Sequence, residues 1–223
     1  MTALSETDHQ KVSAAIAAAE AGTAGEIIAV TTERSDAYHD VGLHYAIGVA
    51  FLTLAIFAAW PPLLDFWWVT LMGWSESPSQ RALLTLLFAL TLAKFLAVLF
   101  LMKWMPLRLA LTPGATKTRR VRRRAIMLFK AAAERRTVGR TGVLIYLSMG
   151  EHRAEIVGDE AIVKVTTAET WGEAMAALLA EVKAGRLADG IVAAIGEVGA
   201  VLAQHFPRDA ADENEIPDKL IEL

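Results

Sequence analysis

Residues 141–162 read TGVLIYLSMGEHRAEIVGDEAI. Val143 to Leu147 is a continuous apolar run, which suits a strand covered on both faces. Met149 to His152 carries turn chemistry, and the stretch around Ala154 and Ile156 reads as the return strand of a hairpin. An Asp-Glu pair, Asp159-Glu160, closes it. This is the pattern of a sheet inside an α/β domain, and the rest of the chain is read outward from it.

Downstream, Trp171, Met175, Leu178, Leu179 and Val182 recur at helical spacing, with Thr166 and Glu169 as a candidate capping box. Leu187, Ile191, Ile195, Val198 and Leu202 predict a final helix. From 207 to 223 the chain is polar and acidic. Its carboxylates (Asp209, Asp212, Glu213, Glu215 and Asp218) lack the spacing of an EF-hand loop, so a solvated tail is expected.

Upstream, 118–137 predicts a basic helix with Val121, Ala125, Leu128, Phe129 and Ala132 on one face. Near the start, residues 5–21 predict a helix capped by Ser5 and Asp8, carrying Val12, Ile16 and Ala19 on one face and ending at a left-handed Gly22. Glu26 to Thr32 (EIIAVTT) is a short β-branched strand.

Between these soluble pieces the character changes. The chain of 223 residues is 54% hydrophobic, with a mean hydropathy of +0.38, and the excess is concentrated here. Residues 45–64 form a charge-free stretch long enough to give about 30 Å of helix, the thickness of a hydrocarbon core. Residues 82–102 form a second, with Lys94 as its one charge. Trp60, Trp67, Trp68 and Trp74 in and beside the connecting loop make an interfacial aromatic belt. A helix and a strand before the spans cannot bury a core without the strands after residue 117, so both soluble pieces must share one side of the membrane. Two crossings satisfy that. The predicted organisation is therefore a split domain (1–40 and 117–206) interrupted by a transmembrane hairpin (44–104) and followed by a tail (207–223). Strand 26–32, helix 118–137 and strand 141–148 would make a βαβ-like unit with the hairpin spliced into its crossover.

Charge sets the side. Residues 61–80 hold no Lys or Arg, whereas 103–124 hold Lys103, Arg108, Lys117, Arg119, Arg120, Arg122, Arg123 and Arg124. The positive-inside rule puts the soluble domain and both termini in the cytoplasm, at a cell's inner membrane. The first residues show no basic stretch leading into an apolar run, so no cleaved signal peptide is expected. Arg119, Arg120, Arg122, Arg123 and Arg124 would attract anionic lipid headgroups. With a net charge of −3 and no aromatics interleaved among these arginines, nucleic acid is not the expected partner.

The chain has no cysteine, which excludes disulfides, thiolate metal sites and Cys nucleophiles. There is no Gly-rich phosphate loop and no GxSxG, and Ser148 has no sequence-level His and Asp partners. His39, Asp40 and His44 read as juxtamembrane polar residues, and Lys94 as a side chain that snorkels or packs on the first span.

The stretches AGEIIAVTTERSDAY (24–38), RRRA (122–125), RTGVLIYLSMGEHRAEIVGDEAI (140–162), Trp171, VKAGRLADGIVAAIGEVGAVLAQHFP (182–207) and ENEIPDKLIEL (213–223), in that order, resemble the TPM domain family. The likeness is to its bacterial membrane-protein branch, which carries a transmembrane hairpin inside the domain. The resemblance implies an α/β fold, a small sheet flanked by helices. It also implies two functional directions: plant luminal relatives are associated with acid phosphatase activity and photosystem II maintenance, and some bacterial relatives bind calcium or other divalent ions at an acidic groove. The family's acidic positions correspond here to Glu26, Asp159, Glu160 and Asp189. Were these to converge, they would form an oxygen-rich site for Ca2+ or Mg2+. Capping and helix-dipole roles explain Asp159 and Asp189 without any bound ion, and that structural reading is the favoured one. Two functions follow as expectations. One is a membrane-anchored accessory or binding module engaging a protein partner at the inner membrane. The other is a metal-dependent phosphatase.

Overall fold

The computed structural model describes residues 4–73, 78–132, 141–167, 169–208 and 216–223. In chain order the elements are α1 (Glu6–Glu20), β1 (Glu26–Thr32), α2 (His39–Ala59), α3 (Pro62–Met72), α4 (Gln80–Leu101), α5 (Met105–Leu111) and α6 (Gly114–Ala132). They continue with β2 (Gly142–Ser148), β3 (Arg153–Gly158), α7 (Glu160–Val165), α8 (Gly172–Lys183), α9 (Leu187–His205) and β4 (Leu220–Glu222). The chain divides into two compact units, 1–36 with 115–223, and 37–114.

The first unit is a mixed α/β layer structure. Its sheet has the order β3-β2-β1-β4. β1 and β2 pair in parallel, from Glu26 opposite Gly142 to Thr32 opposite Ser148, as a crossover through α6 requires. β3 returns antiparallel to β2. Every residue of β1 and β2 is buried, because helices cover both faces. One face packs Ile27, Ala29, Val143, Ile145 and Leu147 against α1, α8 and α9. The other packs Ile28, Val30, Leu144 and Tyr146 against Val121, Ala125 and Phe129 of α6.

α1 begins as its sequence dictates. Ser5 Oγ accepts from Asp8 N–H (3.2 Å) and Asp8 Oδ2 accepts from Ser5 N–H (3.0 Å), a reciprocal capping box. Three expectations need correction. Gly22 is not left-handed; the chain leaves α1 through tight turns, Gly22 N–H to Ala19 O and Thr23 N–H to Glu20 O. Thr166 and Glu169 do not cap α8. Thr166 ends α7, its hydroxyl donating to Ile162 O, while Thr170 Oγ accepts from Thr167 N–H, and the helix opens only at Gly172. The end of the polar tail is not solvated throughout: Leu220–Glu222 forms β4, parallel to β1 with Ala29 opposite Leu220. The predicted end of the basic helix, 133–137, lies outside the described residues, as do Asp209, Asp212, Glu213 and Glu215.

The second unit is helical. α2 and α4 pack on one another, and at Gly42 an added Cβ would stand 3.0 Å from Met102 Cβ, so the glycine permits the close approach. The connecting segment, expected as a loop, contains α3, opened by Pro62 where a missing N–H costs nothing. At the base, Arg108 is buried. Its Nε donates to Met102 O and its Nη1 to Ala37 O, both at 2.6 Å. Lys94 Nζ lies 5.7 Å from the Phe57 ring centroid, so this cation packs on the neighbouring helix. Hydroxyls of Thr53, Thr70, Thr85 and Thr91 each donate to the carbonyl four residues back, which satisfies them within apolar helices.

Candidate functional site

The parallel strands begin at one end of the sheet, and carboxylates gather there. Glu26 opens β1 opposite Gly142, and the Asp159 amide donates to the same Gly142 carbonyl (2.9 Å). Glu26 and Asp159 thus flank one glycine, two strand spacings or about 10 Å apart by backbone. Both are buried, with about 6% of each exposed. Asp159 is turned onto the start of α7, where its Oδ1 accepts from Glu160 N–H at 2.7 Å. Glu160 points outward and pairs with Lys164 at 2.9 Å. Asp189 sits in the first turn of α9 and is paired with Lys11 of α1 and, at 3.7 Å, with Arg186. The structure therefore brings Glu26 and Asp159 to one end of the sheet, uses Glu160 in a surface pair, and holds Asp189 in ion pairs. Among the described residues, no three His, Asp or Glu side chains are placed to share one metal ion.

Sequence reasoning passed over the most perturbed group at this end. Glu20, the last residue of α1, is buried, and its Oε1 accepts from Ile27 N–H at 2.7 Å. Burial above all pushes its carboxyl up to about 8; the Ile27 amide opposes this, and Glu26 and Asp218 add to the rise. Burial and the nearby carboxylates of Glu26 and Asp218, the latter just ahead of β4, thus favour the protonated form of Glu20. The signal was available: Glu20 continues the buried Val12–Ile16 stripe at i, i+4, i+8.

The opposite end of the sheet carries a second buried polar group. Ser148 Oγ donates to Glu151 Oε2, Glu151 Oε1 accepts from Ser35 N–H (2.9 Å), and Ser35 Oγ meets Tyr146 OH at 2.9 Å. Ser148 and Glu151 are almost fully buried, so this network ties the end of β1 to the β2–β3 turn and presents no nucleophile to solvent. Beside it, Arg120 of α6 pairs with Asp36 at 3.2 Å.

Comparison with known proteins agrees with this architecture. Residues 111–201 match the TPM domain, covering α6 to most of α9. No curated protein matches the chain. The NMR structure of BA42 protein from the psychrophilic bacterium Bizionia argentinensis is similar, with a TM-score of 0.57 and 18% identity over 100% of this chain and 97% of that one. At that identity the likeness speaks for the fold.

Proposed function

We propose that this protein is a membrane-anchored accessory or binding module: a TPM-like domain held at the cytoplasmic face of an inner membrane by the unit 37–114. One observation carries the reading. α2 and α4 are long and apolar enough to cross a membrane, and most of their large side chains face outward. Phe51, Phe88 and Phe100 are 68%, 67% and 70% exposed, a surface that water would not tolerate over this length. The absence of Lys and Arg from 61–80, against their density in 103–124, supports cytoplasmic termini. Arg119, Arg122 and Arg123 are exposed and suited to anionic headgroups, with Arg124 half-buried and Arg120 engaged by Asp36. Alkaline carbonate washing should leave the full chain in the membrane pellet, and a cytoplasm-active reporter fused after Leu223 should be active. Release by carbonate, or a reporter active only outside, would overturn the reading.

A metal-dependent phosphatase has less support, because Asp189 and Glu160 are held in ion pairs and Asp159 in a helix cap. Binding of Ca2+ or Mg2+ at Glu26 and Asp159 remains a separate proposal. An ion at a hundred times its dissociation constant would add about 2.7 kcal/mol, visible as a melting shift that Asp159→Asn removes. No shift at millimolar ion would end it.

A further inference from the structure

β3 is an outer strand of the sheet. The Asp159 N–H to Gly142 O bond fixes the alternation on the β2 side: residues 153, 155, 157 and 159 bond inward. The N–H and C=O groups of Ala154, Ile156 and Gly158 therefore point away from the sheet. Soluble proteins usually cover such an edge or blunt it with charge. Here it lies in a cleft. A cavity of about 390 Å³ runs along residues 154–158, walled by Arg122 and Ile126 of α6 on one side and by Val163, Trp171 and Met175 on the other. A second, of about 280 Å³, continues it past Gly158, lined by Phe129 and Lys130 and by Asp159 and Glu160, whose carboxylates are engaged by the α7 cap and by Lys164.

The side-chain alternation of β3 shows how an added strand would sit. Ala154 and Ile156 pack toward α8 and α9, and Val157 packs toward α6. A strand laid against the edge would likewise send alternate side chains to the α6 wall and to the Trp171 wall. On the α6 wall, Arg122, Ile126 and Lys130 recur every four residues, so the two cations stand about 12 Å apart with an apolar residue between them. Four residues of extended chain span about 13 Å, and positions i, i+2 and i+4 share a face. The two repeats match. Arg122 and Lys130 are exposed and form no salt bridge among the described residues; Arg122 acts on half-buried Glu155, whose carboxyl burial pushes up and the guanidinium pulls back.

We propose that the outer edge of β3 is a docking groove for an extended peptide of a partner protein, which adds as a fifth strand. Carboxylates at i and i+4 meet Arg122 and Lys130, and three apolar residues lie between them. The residue at i+2 covers Ile126, while those at i+1 and i+3 cover Trp171, Met175 and Val163. Backbone bonds to Ala154, Ile156 and Gly158 supply affinity, and the charge spacing supplies selection. This deepens the binding-module reading by giving the partner's chemistry. It is tested without a membrane, so either can fail while the other stands.

The probe is a fluorescein-labelled peptide of glutamate, three valines and glutamate, flanked by Ser-Gly, titrated against the full chain in neutral detergent and read by anisotropy. Saturable binding is expected. Methylating the two peptide nitrogens that face β3 should weaken it about thirtyfold, as two net hydrogen bonds imply. Ile156→Pro removes one outward N–H as well as the isoleucine packing, so it should weaken binding several-fold beyond Ile156→Ala, which loses the packing but keeps the N–H. The double variant R122E/K130E should favour the peptide with lysines in place of both glutamates. No saturable binding, or binding indifferent to N-methylation and to charge reversal, would overturn the proposal. So would binding to anionic vesicles, lost in R122E/K130E, with no peptide binding; that would assign the groove's cations to lipid.

Discussion

α4 and α9 are of similar length, and each is apolar enough to cross a bilayer. In their surroundings they are opposites. Of the apolar window in α4, 6% is buried; in α9 it is 44%. The difference is written in their small residues. α4 has no glycine, whereas α9 has Gly190 and Gly199 where a neighbour comes close. A Cβ at Gly190 would stand 2.8 Å from Leu178 O of α8, and one at Gly199 would stand 2.7 Å from Ala19 Cβ of α1. α9 is therefore cut to receive two partner helices, and its apolar surface is used up inside the sheet unit. α4 offers its surface outward. Hydropathy alone nominates both; close-packing sites separate them.

The strongest way to break the comparison is to remove one unit. Replacing 37–114 by a flexible Gly/Ser linker should leave a cooperatively melting α/β domain, because the sheet core contains no residue of that segment. Residues 115–223 alone should not melt cooperatively, since α1 and β1 are missing from both faces. Equal cooperativity of the two fragments, measured by calorimetry, would refute the split core.

A smaller effect follows from the glycine sites. Gly199→Leu should destabilise the sheet unit by about 3 kcal/mol, the upper range for overpacking, read by urea titration. Leu96→Ala in α4, whose side chain is exposed, should leave that transition unmoved.

pH sharpens the contrast further. Glu20 has a folded value near 8 against an ordinary 4.5, so the folded state holds a proton that the unfolded state has lost. Stability is fully present below about pH 4.5 and falls as pH rises toward 8. Glu20→Gln keeps the acceptor for Ile27 N–H and should flatten this slope, leaving the variant more stable than the parent at pH 8.5. An unchanged slope would mean that Glu20 is not the titrating group. The smallest expected effect is at Asp159: in ion-free buffer, substitution by Ala should cost about 1 kcal/mol, the worth of an N-cap.

The strands of the hairpin and β1 were legible because their signals are local: an apolar run, a turn and a β-branched segment between polar ones. The parallel pairing of β1 with β2 followed from the helix between them. β4 was not legible, because three residues beside Pro217 and Lys219 carry no periodicity and become a strand only by lying on β1. The Thr166–Glu169 pair had the right spacing, but the Thr167–Thr170 bond prevailed locally. Glu26 and Asp159 were singled out by the resemblance and lie at one end of the sheet, but their surroundings were not legible. Glu160 and Asp189 are paired by Lys164, Lys11 and Arg186, and reaching Lys11 requires the docking of α1 on α9. Glu20 went unremarked because a glutamate on an alanine-rich helix reads as solvated, and its burial is imposed by segments distant in sequence.

The pairing of β1 has a consequence for biosynthesis. Ala29 waits for Ile145 on one side and for Leu220 on the other. While the ribosome is still making the helices of 37–114, β1 exists as EIIAVTT with neither neighbour translated, a segment rich in β-branched residues and free of proline. Such a stretch adheres to its like when left open. The nascent chain therefore needs α1 folded over it, or a chaperone holding it, for most of the time that translation takes.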